Sequence, residues 1–159
     1  MAQITFITVG TLKEGYLREG LNEYKKRLAQ YARVDEITLK ECEIRNEEDV
    51  SEIRRALDCE GEKIIAAIPK DSYKIALCVE GREYGSVEFS HLISKAADEK
   101  GRITFIIGSS HGLSDKVKSE CDTRLSVSKM TFPHQLMRVI LAEAVYRAFT
   151  IIYGKKYHK

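Results

Sequence analysis

Apolar residues run along the chain in two alternating rhythms. ITFITV (4–9), VDEITL (34–39), KIALCV (74–79), RITFIIG (102–108) and RLSVS (124–128) are short runs rich in β-branched residues. Each predicts a strand. Between them the apolar positions recur at helical spacing. Tyr16, Leu17, Leu21, Tyr24 and Leu28 predict a first helix. The acidic stretch from about Glu47 to Ile68 predicts a second, interrupted at Gly61 and closed by Pro69. A third opens at Ser86 and turns Leu92, Ile93, Ala96 and Ala97 inward. Ser114 caps a short fourth that ends near Cys121. This alternation predicts one α/β domain over residues 1–159, with a mostly parallel sheet and helices on both faces. KIALCV and TFIIG lack polar alternation, as strands covered on both faces do.

The final helix, after Pro133, breaks the amphipathic rule. Its few polar positions are Gln135, Arg138, Glu143, Arg147 and Thr150. Arg138 and Arg147 fall on opposite sides, and Glu143 is placed to pair with Arg147. No wide polar face remains, so the helix must be covered all round. Either a second copy of the same helix covers it, in a two-fold dimer, or other helices of the same chain do.

In a parallel α/β sheet ligands bind beyond the carboxyl ends of the strands. Three stretches lie there: Val79–Arg82, Gly108–Leu113 and Ser128–His134. IIGSSHGL (106–113) carries glycines that let backbone approach a ligand. It is neither a Walker A loop nor a G-x-G-x-x-G fingerprint, and a plain strand-to-helix turn explains it equally well. VSKMTFPH (127–134) crowds Ser128, Lys129, Thr131 and His134 into one strand-end turn. Thr131 is placed to cap the helix, and Pro133 suits its first turn.

Charge sharpens this only a little. The formal net charge is +2, but residues 41–62 hold nine acids and three bases, while residues 101–159 hold ten Lys or Arg and four acids. A basic C-terminal third favours a phosphate-rich partner, although a solvated surface accounts for it too. The tail YGKKYHK (153–159) adds aromatic and imidazole groups that can stack on bases. MAQITFITVG reads as a strand rather than a leader, and no membrane-length apolar run occurs, which points to the cytoplasm. Cys42, Cys59, Cys78 and Cys121 have no C-x-x-C spacing and read as reduced packing thiols, with no metal site.

Three segments together, SKMTFPH, IIGSSHGL and the terminal YHK, with ITFITVGTLKEGYL at the start, resemble the RlmH family of ribosomal RNA large-subunit pseudouridine N3-methyltransferases, in the SPOUT superfamily. The resemblance spans essentially the whole chain and is least diagnostic over residues 41–62. It implies a trefoil knot near the C-terminus and a homodimer packed through the final helix. It implies S-adenosylmethionine as cofactor, with contacts at Leu77, Gly108, Val127, Ser128, Lys129, Met130, Thr131 and Phe132. The implied target is N3 of pseudouridine 1915 in 23S ribosomal RNA. His134, Tyr157, His158 and Lys159 match residues near the target base, and the tail is expected to reach the other subunit's site. Lys159 departs from the arginine usual there, and an ammonium does not grip phosphate bidentately. His134 and His158 are the candidates for the base that takes the imide proton. The competing readings are a non-enzymatic RNA-binding module and a nucleotide-dependent α/β enzyme using Gly108 and Gly112.

Overall fold

A computed structural model describes residues 1–159. Five strands form one sheet: β1 (Ala2–Val9), β2 (Ala32–Leu39), β3 (Tyr73–Glu83), β4 (Arg102–Ile107) and β5 (Thr123–Ser126). The order is β2-β1-β4-β3-β5, and every pairing is parallel. The helices are α1 (Gly15–Leu28), α2 (Val50–Ala67), α3 (Ser86–Lys100), α4 (Asp115–Glu120) and α5 (His134–Ile152).

Strand pleating sorts the core into two layers. Ile4 and Phe6 of β1, with Ile103, Phe105 and Ile107 of β4, face α1, α3 and α5. Ile7 and Val9, with Ile106, face α2 and α4. Phe105 stacks on Phe6 at 5.6 Å between ring centroids, at the middle of the first layer.

The structure corrects several expectations about local elements. α2 runs unbroken through Gly61, where a Cβ would stand 2.5 Å from Ser114 Oγ, so the glycine makes room for a packed neighbour rather than a break. Thr131 caps nothing and is exposed. The residue preceding α5 is Pro133, whose carbonyl accepts the Met137 amide at 3.0 Å. Tyr16 points to solvent, while Leu17, Leu21 and Leu28 carry the buried face of α1.

β3 is longer than its apolar run. It pairs with β5 twice, at Ile75–Leu77 and again at Arg82–Glu83, with a register shift between. A Cβ at Gly81 would lie 2.7 Å from the Leu125 main chain, so only glycine lets the two backbones pass this closely.

α5 is not left open by its own chain. It lies between α1 and α3, and none of its residues from His134 to Ile151 is fully exposed. Leu141, Val145, Ala148 and Phe149 sit in the main core. Leu136 and Val139 pack with Leu12, Leu17 and Leu21. One stripe stays half-buried: Met137, Ile140, Ala144, Arg147 and Ile151, at spacings of three and four residues. Met137, Ile140 and Ile151 belong to none of the apolar clusters.

The cysteine reading is corrected as well. Cys42 and Cys59 form a disulfide, with Cα atoms 6.4 Å apart. The stretch after β2 folds back along α2, which brings together two residues 17 positions apart. Cys78 and Cys121 are free, and burial pushes the Cys121 thiol up to about 11. No helix is long and apolar enough to cross a membrane, and no group of His, Cys, Asp and Glu side chains is placed to hold a metal ion.

Candidate active site

The carboxyl ends of β3, β4 and β5 converge on one cavity of about 290 Å³. Its walls come from three stretches: Leu77–Glu80, Ile107–Leu113 and Leu125–Phe132 without Lys129. His134 and Met137, from the first turn of α5, close it. The two strand-end turns that the sequence singled out therefore meet. Leu77, Gly108, Val127, Ser128, Met130, Thr131, Phe132 and His134 all line the cavity. Lys129 lies in the same turn but is exposed and outside the lining. Tyr157, His158 and Lys159 lie at the opposite end of α5 and do not reach this cavity within one chain.

Each turn is held by its own hydrogen bonds. After β5, the Ser126 hydroxyl donates to the Ser128 carbonyl at 3.0 Å, and Ser128 Oγ accepts the Met130 amide at 3.0 Å. Ser and Asx-like turns of this kind order a loop without regular structure. After β4, the Gly112 amide donates to the Ser109 carbonyl at 2.9 Å. A Cβ on Gly108 would stand 2.1 Å from the Gly112 carbonyl oxygen, so the tight return of this turn requires glycine. Val79, Val127 and Met130 leave apolar surface exposed around the mouth.

The electrostatics suit a ligand without a phosphate chain. The one lysine in the lining, Lys118, is paired to Glu80, and that hydrogen bond holds the Glu80 carboxyl below its ordinary range. His134 is half-buried, and burial together with the Arg138 guanidinium lowers its pKa from 6.5. Both effects favour the neutral imidazole over the imidazolium. Arg138 is itself buried and donates to the carbonyls of Val9 and Gly10 at 2.9 and 2.7 Å. It ties the start of α5 to the end of β1.

Sequence reasoning named the turn containing Ser109, Ser110 and His111 without assigning those residues, and all three line the cavity. It named the stretch containing Glu80 without assigning that residue and did not find Lys118, whose pairing with Glu80 joins residues 38 apart. A second cavity of about 530 Å³ adjoins the first through Ser109, Ser110, His111 and His134.

The tail is organised around Glu143 and Arg147. Arg147 donates to Glu143 at 2.5 Å, and the Tyr157 hydroxyl donates to the same carboxylate oxygen at 3.1 Å. Arg147 also lies over the Tyr157 ring at 4.7 Å and within 3.5 Å of His158 Nδ1. Burial, then hydrogen bonds with Tyr24 and Glu143, push the Tyr157 phenol up to about 12.

An all-parallel α/β sheet with a loop-built cavity past its strand ends is the arrangement in which α/β proteins bind small ligands. The profile described as "Predicted SPOUT methyltransferase" matches residues 2–158, and the chain belongs to that family of methyltransferases. Membership implies the family's knot in the C-terminal region. Three proteins called ribosomal RNA large subunit methyltransferase H are close relatives. That of Bacillus pumilus is 48% identical, covering 98% of this chain and 99% of its own length. That of Caldicellulosiruptor bescii is 46% identical over 98% and 99%. That of Streptococcus agalactiae serotype III is 45% identical over 99% of both chains. A solved structure of a probable methylase family protein from Haemophilus influenzae Rd KW20 superposes with a TM-score of 0.53 at 14% identity, covering 98% of this chain and 70% of that one. This last likeness concerns the fold alone.

Proposed function

We propose that this chain methylates N3 of pseudouridine 1915 in the 23S RNA of the large ribosomal subunit, with S-adenosylmethionine as donor and as a homodimer in the cytoplasm. The observation that carries this reading is the meeting of the Gly108 and Met130 turns in one cavity, in a chain nearly half identical to large-subunit RNA methyltransferases along its whole length. The rival phosphate-binding reading has no unpaired lysine in the lining to support it.

The residues fit the cofactor. Leu77, Ile107, Leu125 and Met137 supply apolar wall, and the two turns add main-chain donors and acceptors, as a nucleoside requires. Leu77, Gly108, Val127, Ser128, Met130, Thr131 and Phe132 would hold it, with Lys129 beside them at the rim. When bound, S-adenosylmethionine supplies a methyl group already activated on a sulfonium. The protein's part is then positioning and proton removal. Of the two base candidates, His134 is the one that borders the cavity within its own chain, and burial there favours the neutral imidazole.

The second base candidate, His158, belongs to a tail anchored to the far end of α5. That tail serves a site only across a dimer. The half-buried stripe Met137, Ile140, Ala144 and Ile151 is the face on which a second α5 would pack. In that arrangement Tyr157, His158 and Lys159 of one subunit complete the site of the other.

The test is incubation of the protein with labelled S-adenosylmethionine and with large subunits or whole ribosomes that lack the modification, followed by mass spectrometry of the RNA. A methyl group on N3 of that pseudouridine is the expected product. A label on another nucleotide, or none, sinks the assignment.

A further inference from the structure

Two charged side chains are fully buried in this chain, Arg138 and Glu60. Arg138 has an evident structural task at the end of β1. Glu60 has no cationic partner, yet only 3% of it is exposed. Burying a carboxylate is unfavourable unless its oxygens are satisfied. Both are: one accepts the Cys42 amide at 3.1 Å, the other accepts the Ser109 hydroxyl at 3.0 Å. The first bond joins two stretches of scaffold. The second reaches across 49 residues into the turn that lines the cavity.

Ser109 is the pivot of that turn. Its side chain is anchored to α2 through Glu60, and its carbonyl closes the turn onto the Gly112 amide. At the neighbouring Gly108 an added Cβ would stand 2.1 Å from the Gly112 carbonyl oxygen, so the turn folds back closely on its own start. The turn has no regular structure of its own beyond one isolated bridge between Ser109 and Gly112. Its shape depends on outside anchors, and Glu60 is the anchor that comes from the α2 layer.

We propose that Glu60 is a positioning residue for cofactor binding: by accepting the Ser109 hydroxyl it holds the Gly108–Gly112 turn in its binding-competent shape. This deepens the assignment of the cavity to S-adenosylmethionine and rests on it. Glu60 does not line that cavity itself and acts through Ser109. The geometry also says which substitution is tolerated. In Glu60→Gln the amide oxygen still accepts the Cys42 N–H. Its NH2 then donates to Ser109 Oγ, whose own proton rotates away. Glu60→Ala leaves both donors without a partner.

The experiment measures S-adenosylmethionine affinity by calorimetry for the wild type, Glu60→Ala, Glu60→Gln, Ser109→Ala and the double variant Glu60→Ala/Ser109→Ala. Amide hydrogen exchange at Gly112 is followed without any ligand. Loss of a buried hydrogen-bond partner corresponds to roughly tenfold weaker binding in Glu60→Ala, with Glu60→Gln within about threefold of wild type. The double variant should bind about as weakly as the worse single one, since both changes cut the same link. Gly112 exchange should quicken in Glu60→Ala and Ser109→Ala but not in Glu60→Gln. Wild-type affinity in Glu60→Ala, or losses that multiply in the double variant, would overturn the proposal. So would a Glu60→Gln protein as impaired as Glu60→Ala. If Glu60→Ala does not fold, Ser109→Ala and Glu60→Gln carry the test, and unchanged Gly112 exchange in Ser109→Ala overturns it. A wild type that binds no S-adenosylmethionine refutes the cofactor assignment instead. The exchange data then judge the Glu60 anchor alone.

Discussion

The two helix layers meet the same sheet on different terms. On one side α1, α3 and α5 enclose seventeen buried apolar residues around Phe105. On the other, α2 and α4 share a cluster of seven. The deeper layer holds the fold. The shallower one packs Leu113 of the cavity's turn and supplements its packing with a disulfide, a buried carboxylate and the Ser114 cap. Apolar area is a strong but undirected source of stability. The α2 and α4 layer adds directed bonds to its smaller cluster, and these fix the turn's geometry as area alone does not.

The largest expected effect lies in the deep layer. Val145→Asp places an uncompensated charge in the core and should cost more than about 4 kcal/mol, enough to abolish folding in a thermal melt. Val145 is fully buried within one chain, so a charge there tests the fold and says nothing about association. Ile140→Asp, on the open stripe, is the matched control. It should leave the chain folded and, in the proposed dimer packed through this stripe, shift its mass in ultracentrifugation to that of a monomer. A folded Val145→Asp protein would show that the deep layer is less decisive than the contrast claims.

In the shallow layer, Ile64→Ala should cost about 2–4 kcal/mol in denaturant unfolding, since Ile64 is fully buried there. Replacing Cys42 and Cys59 by serine, or reducing their bridge, should cost roughly 2–3 kcal/mol for a loop of this length. It should also quicken amide exchange along residues 40–46. Equal stability of the oxidised and reduced chains would remove the disulfide from the comparison.

Gly108→Val forces the cavity's own turn out of shape. The new side chain meets a backbone carbonyl that cannot move aside, so equilibrium dialysis should find S-adenosylmethionine binding reduced by about a hundredfold or more. The smallest effect is a pH dependence. His134 has a pKa lowered from 6.5 in the folded chain, so the unfolded chain binds the extra proton first. Its contribution to stability is complete above pH 6.5 and is lost as pH falls from there through the lower folded value. Melts of His134→Gln should lack that part of the acid-side decline.

The strands were legible because each is a short, nearly unbroken apolar run, and the helices because theirs recur at every third or fourth residue. The two turns were legible because strand ends in parallel sheets are where ligands sit. What stayed hidden depends on residues far apart in the chain. No local pattern relates Cys42 to Cys59, Glu60 to Ser109 or Arg138 to Val9. Each pairing follows from how layers stack, which periodicity does not encode. α5 shows the same limit. Its apolar surround correctly required cover, but only the packing revealed that α1 and α3 supply most of it and leave one narrow stripe.

The Arg138 clamp has a consequence for how the molecule is made. Its two bonds link positions 128 and 129 residues apart, between the end of the first strand and the last helix. During synthesis the first strand leaves the ribosome early and then waits, its final carbonyls unsealed, until almost the whole polypeptide has followed. A nascent chain halted before Arg138 therefore has the sheet's opening strand without the group that locks its end.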